Sequence, residues 1–109
     1  MNRYRKGTPE GRLKLQILRY LKALGAAVGK TNMMGVKRGK VYCFDPYLFR
    51  GFPDVTCFWK DRLYFIEVKG PKGKQTPEQE SFQLLCSQIP DYVHYILAYE
   101  FGDVERAIK

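Results

Sequence analysis

Arg50-Gly51-Phe52-Pro53-Asp54-Val55-Thr56-Cys57-Phe58-Trp59, a turn at Lys60-Asp61-Arg62, then Leu63-Tyr64-Phe65-Ile66-Glu67-Val68-Lys69-Gly70-Pro71 decides how this chain folds. Two apolar runs lie so close together that they read as an antiparallel hairpin, with strands at Val55–Trp59 and Leu63–Val68. Leu63 to Ile66 is apolar at every position, the pattern of a strand covered on both faces. Each run nevertheless carries charge. Asp54 opens the first, directly after Gly-Phe-Pro, and Glu67 and Lys69 stand near the end of the second. Side chains alternate along a strand, so Glu67 and Lys69 share a face and Val68 takes the other. A carboxylate and an ammonium buried there are costly unless they pair with each other or hold an ion.

Before this hairpin, Thr8-Pro9-Glu10 is a helix start with Thr as N-cap, Pro at the first position and an acid in the first turn. The helix is expected to run to Leu24 and stop at Gly25, burying Leu13, Ile17, Tyr20, Leu21 and Leu24. Arg12, Lys14, Gln16, Arg19 and Lys22 cover the rest as a solvated face. Glu10, its one acid, precedes Leu13 by three residues and Ile17 by seven, in line with the buried stripe. It is either a helix-dipole partner or a group aimed past the helix end. Ala26 to Met33 reads as a strand, Met34 to Lys40 as a loop, and Val41 to Phe44 as a short strand or the far arm of a hairpin around that loop.

After the hairpin, Gly70-Pro71-Lys72-Gly73-Lys74-Gln75 is a basic, glycine-punctuated loop. Thr76-Pro77-Glu78-Gln79 starts a second helix with a capping box. Phe82, Leu85, Cys86 and Ile89 form its apolar face, Gln79 lies at the N-terminal end of that face, and Pro90 ends the helix. Tyr92 to Tyr99 reads as a strand, and Gly102-Asp103 begins a short helix reaching Ile108. There is no repeat, linker or low-complexity stretch. Residues 1–109 read as one domain with a basic tail at 1–7.

Nineteen Lys+Arg against eleven Asp+Glu give a formal charge of +8, which points to a polyanionic partner, nucleic acid before membrane. No apolar run approaches the roughly 20 residues of a membrane helix, and no apolar segment follows the basic N-terminus as in a secretory signal. Cys43, Cys57 and Cys86 have neither the count nor the spacing of a disulfide or zinc framework and read as small buried hydrophobes in a reducing, cytoplasmic setting.

Asp54, Glu67 and Lys69 are the residue types that phosphodiester hydrolysis requires. One or two carboxylates suffice for Mg²⁺, which keeps several waters. The bound ion lowers the pKa of an attacking water, and a cation near the nucleophile or the developing charge assists. The backbone carbonyl of Val68, between Glu67 and Lys69, is a further ligand candidate. Glu10 and Gln79, each at the start of a helix, are both candidates to face the same point. A plain strand-end ion pair is the simpler reading of Glu67 and Lys69. His94 reads as an edge-of-core histidine, Tyr92, Tyr95 and Tyr99 as packing, and Trp59 as core or interface. Tyr42, Phe44, Tyr47, Phe49 and Phe52 suit either an interface or a core.

Taken together, Gly51-Phe52-Pro53-Asp54, Glu67-Val68-Lys69-Gly70-Pro71 and a Gln three residues after the capping Thr76 resemble the VRR-NUC domain of the PD-(D/E)XK nuclease superfamily. The resemblance spans the chain from about Thr8 onward. It implies an α/β fold of the restriction-endonuclease kind, an α-β-β-β-α-β core whose mixed central sheet is flanked by helices, with a short C-terminal helix. It also implies Mg²⁺-dependent hydrolysis of DNA, with Mn²⁺ able to substitute and no small-molecule cofactor. Carried over by position, Asp54 and Glu67 would be metal ligands, Lys69 the catalytic lysine, Gln79 the family's glutamine and Glu10 the acid of the first helix. Having only the nuclease module, the chain resembles stand-alone members, many from phages, which are homodimers acting in repair and recombination on four-way (Holliday) junctions. A flap- or end-processing nuclease or nickase, and a basic DNA-binding module without turnover, are the alternatives. Lys37, Arg38 and Lys40 on one loop, and Lys72 and Lys74 on the other, are the candidate phosphate contacts.

Overall fold

The computed structural model describes residues 7–31, 36–38, 41–43, 46–47 and 49–108. Met1 to Lys6 of the basic tail, Met33, Lys40 and Phe44 lie outside them. Helix α1 (Pro9–Leu24) starts as its sequence dictates: the Gly11 N–H donates to the Thr8 hydroxyl at 2.9 Å, Pro9 stands at the first position, and Gly25 ends it. Ile17 and Leu21 are fully buried, while Leu24, at the end of the stripe, is partly exposed. Strand β1 (Ala27–Lys30) is shorter than the strand expected over Ala26 to Met33, with Ala26 and Thr31 outside it. Strands β2 (Val36–Arg38) and β3 (Val41–Cys43) form an antiparallel hairpin of their own. This corrects the reading of residues 34–40 as loop throughout: the near arm of the hairpin is strand, held by cross-strand pairing where intrinsic propensity is weak.

The main sheet has the order β1-β4-β5-β6, with β4 (Val55–Trp59) and β5 (Arg62–Val68) at its centre and β6 (Val93–Ala98) at an edge. β1/β4 and β4/β5 are antiparallel and β5/β6 parallel, so the sheet is mixed. The central turn is tighter than the sequence suggests. Arg62 pairs with Trp59, leaving a two-residue loop of Lys60 and Asp61, both at positive φ, as a twisted hairpin requires.

Alternation along β5 divides the core. Tyr64, Ile66 and Val68 pack on α1 and the C-terminal helix α3 (Phe101–Ala107) together with Ile17, Leu21, Val55, Cys57, Ile96 and Val104. The opposite face carries Phe65 and Glu67 and receives helix α2 (Pro77–Cys86) through Phe82. Phe82 also meets Phe49, Phe52 and Tyr95, with ring centroids 5.0 to 6.2 Å apart. Phe52 therefore belongs to this second, aromatic core, Phe49 lies at its exposed rim, and Tyr47 is exposed. Regular α2 ends at Cys86, and single turns carry the chain on towards Pro90. Leu85 and Ile89, expected to be buried, are about half exposed: only Phe82 and Cys86 of the helix are buried, and Ile89 lies beyond its end.

Cys57 and Cys86 are buried free thiols, and burial pushes both upward, Cys57 to about 11, which makes them poor nucleophiles at neutral pH. His94 stacks on Tyr64 at the edge of the core. Trp59 packs against the core with Lys60 over its ring. No helix among the described residues is long and apolar enough to cross a membrane.

Candidate active site

The C-terminal end of β5 is reached from one face by the first turns of α1 and from the other by the first turn of α2. Asp54 and Glu67 are 4% and 3% exposed, and they are the only charged residues in the buried interior among the described residues. Asp54 stands just before β4, where its backbone carbonyl accepts the Thr31 N–H at 2.8 Å. Its Oδ2 accepts the Val68 N–H at 2.9 Å, which ties the Gly-Phe-Pro-Asp turn to the neighbouring strand. A strand residue's N–H and C=O leave by the same edge, so the Val68 carbonyl is directed to the side on which Asp54 lies.

Glu67 Oε2 accepts the Gln79 side-chain amide at 3.0 Å and faces Lys69 Nζ at 3.7 Å. Gln79 Oε1 in turn accepts the Thr76 N–H at 2.9 Å, so the capping box turns the amide's N–H₂ towards Glu67. The other Glu67 oxygen, Oε1, is buried without a hydrogen-bond partner. Burial first, and then the Asp54 charge and the carboxyl–carboxyl contact, push Glu67 up to about 8 against the opposing pull of Lys69. Glu10 adds a weaker negative influence on Glu67. It reaches this end of the sheet beside Gly70, where a Cβ would lie 3.9 Å from its own. Ionised, Asp54 and Glu67 can only accept, and neither can satisfy the other. Two close carboxylates with one unpaired buried oxygen form a donor set that suits a hard divalent cation. No group of three or more His, Cys, Asp or Glu able to hold a metal occurs among the described residues. Carboxylates would thus supply two ligands, and backbone and water the rest.

The chain from Lys69 to Gln75 is pinned beside this cluster. The Tyr99 hydroxyl donates to the Gly73 carbonyl at 3.0 Å, and the Gln75 amide donates to Gln83 at 3.0 Å and to the Tyr95 hydroxyl at 3.2 Å. Gly73 lies over the Lys69 stem, where a Cβ would come within 3.3 Å of it. Lys72 and Lys74 are exposed on this pinned loop. Tyr95 is packed as expected, Tyr99 is a tether, and Tyr92 is largely exposed instead of packed. Lys37 and Arg38 belong to β2, and Lys40 is not among the described residues.

Sequence reasoning places Lys14 on the solvated face, and here the structure differs. Lys14 Nζ lies 3.5 Å from Asp54 Oδ1, with side chains 20% and 5% exposed. The signal was available: Lys14 is one turn after Glu10, four residues on, along the stripe that leads to the site. A groove lined by Tyr20, Trp59, Arg106 and Ile108 lies at the hairpin end of the sheet, away from all these groups.

No protein-family model matches the chain, and no curated protein matches its sequence. A solved structure described as "VRR_NUC domain" shares its fold, with a TM-score of 0.62 over 92% of this chain and 94% of that chain. The two sequences are 22% identical, so the likeness is one of fold. At that level the resemblance holds: the α-β-β-β-α-β order, the mixed sheet and the C-terminal helix are as expected, with the β2–β3 hairpin inserted between the first two core strands.

Proposed function

We propose that this protein is a divalent-metal-dependent deoxyribonuclease that cuts branched DNA, acting as a homodimer on four-way junctions. The observation that carries the reading is the buried Asp54–Glu67 pair, with an unpaired carboxylate oxygen, set between Lys69 and Gln79 at the end of β5. Asp54, Glu67 and the Val68 carbonyl would hold Mg²⁺, or Mn²⁺ in its place; when bound, the ion supplies charge to the phosphate and lowers the pKa of an attacking water.

The chain's own groups do the rest. The Val68 N–H fixes the Asp54 carboxylate, and Gln79 fixes Glu67 through the capping box. Lys69, its stem held under Gly73, presents its ammonium 3.7 Å from Glu67, where it can position the water or meet charge developing on the phosphate. Glu10 borders the same space from α1. Lys72 and Lys74 extend the cationic surface along the backbone of a bound strand. A two-fold protein would match a junction with two strands to cut.

The test is cleavage of an end-labelled four-way junction beside linear duplex and flap substrates, in Mg²⁺, Mn²⁺ and chelator, with Glu67→Gln in parallel. Paired symmetric cuts in the junction, lost in chelator and in the variant, are the expected result. Cuts confined to flaps or ends, from a monomer, would replace junction resolution by end processing. Junction binding without any cut would leave a DNA-binding module.

A further inference from the structure

The first helix brings a second ammonium into the site. Lys14 could extend into solvent from its position on α1, but it turns inward and meets Asp54 where little water screens the contact. Ordering a lysine side chain and drying its charge both cost free energy, and here the Asp54 carboxylate offsets them. Each carboxyl of the site thus has an ammonium beside it: Lys14 faces Asp54 at 3.5 Å and Lys69 faces Glu67 at 3.7 Å. Asp54 Oδ2 is engaged by the Val68 N–H, and Oδ1 is the oxygen that Lys14 approaches.

Resting on the metal-site reading above, we infer that Lys14 competes with a divalent cation for Asp54 Oδ1, so that its charge sets how tightly the site holds the ion. Lys14 is in this sense a positioning residue. It keeps Asp54 aligned, and its flexible four-carbon stem lets it withdraw when a stronger cation arrives. Like charges repel strongly at this spacing in a poorly screened site, so the ammonium lowers the affinity for the ion as long as it stays near. Lys69 differs: its stem is packed beneath the loop, and it approaches Glu67 on the oxygen that Gln79 already holds.

The experiment is calorimetric titration of the full chain with Mn²⁺ in the absence of DNA, for the wild type, Lys14→Met, Lys14→Arg and Asp54→Asn. Lys14→Met removes the charge and keeps most of the stem; it should bind Mn²⁺ roughly tenfold more tightly, a small part of the repulsion expected between two cations this close. Lys14→Arg, which keeps the charge, should bind as the wild type does. A role confined to packing would leave affinity unchanged or weaken it in Lys14→Met, and either result overturns the inference. So would equal tightening in Lys14→Arg. Should Lys14→Met fail to fold, Lys14→Gln makes the same test. Binding by the wild type that is lost in Asp54→Asn upholds the metal site whatever Lys14 does. No binding by the wild type overturns the metal site and this inference with it.

Discussion

Gln79 serves two structures with one amide: its oxygen closes the capping box of α2 and its nitrogen holds Glu67. Gln79→Glu separates the two roles. Glutamate caps a helix as well as glutamine does, so α2 should persist. A carboxylate would then face Glu67 without a proton to donate, and cleavage should fall by about 10–100-fold, as when a metal ligand loses its supporting partner; circular dichroism beside a cleavage assay reads both. Glu67 itself makes stability depend on pH. Its pKa is raised on folding from 4.5 to about 8, so the folded state holds this proton more tightly than the unfolded chain. The contribution is fully present below 4.5 and is lost as pH rises towards 8. In chelator, Tm should therefore fall across that window, and Glu67→Gln should flatten the fall. The residues of this cluster were legible in the sequence because each breaks a local rule: acids beside an apolar strand, or polar groups in line with a buried helix face. Lys14 breaks none. A lysine on a helix flank is read as solvated until the neighbouring strand shows Asp54 waiting for it.

Elements here are aligned by close contact between backbones. Gly51, at φ +77°, lies against the first turn of α2, where a Cβ would come within 2.4 Å of the Glu78 backbone and 2.8 Å of the Gln79 nitrogen. The Gly-Phe-Pro-Asp turn therefore docks on the helix that carries Gln79, and Phe52 completes the seat against Phe65 and Phe82. Asp54 and Gln79 are held in register by this one approach. Gly51→Ala should cost about 2–4 kcal/mol, from a strained φ together with an overlap that backbone cannot relieve. Urea unfolding measures it, and a loss below about 0.5 kcal/mol would mean that the turn and helix can separate freely. The same contacts explain what the sequence concealed at this scale. The β4–β5 hairpin is written in its apolar runs, and both helix starts in Thr-Pro signals. Strand β2 is not, because Val36-Lys37-Arg38 is strand only through its partner. Leu85 and Ile89 follow the helical period yet stay exposed: α2 buries only Phe82 and Cys86, and it ends before Ile89. Periodicity names a face but not how much of it is covered.

Over the whole molecule, a charge of +8 sits on a fold whose candidate site sets Lys14 beside Asp54 and Lys69 beside Glu67. Arg12, Arg19, Lys22, Lys72 and Lys74 are exposed, and their charge is available to phosphates along a bound strand. Its placement decides what it does. Lys72 and Lys74 stand on a loop held by Tyr99 at Gly73 and by Tyr95 and Gln83 at Gln75, so little ordering remains to be done when DNA arrives. Cations held in this way should each release close to one counterion. Replacing both by glutamine should weaken binding about equally on every sequence and make the slope of log K against log salt shallower by roughly 1.8. Fluorescence anisotropy over a salt series with a catalytically silent Glu67→Gln background gives the slope without cleavage. An unchanged slope would move the DNA path off this loop and towards the exposed cations of α1, Arg12, Arg19 and Lys22. The strand would then cross the site from the α1 side, past Glu10 and Lys14. The salt series therefore reports the direction from which DNA enters as well as its affinity.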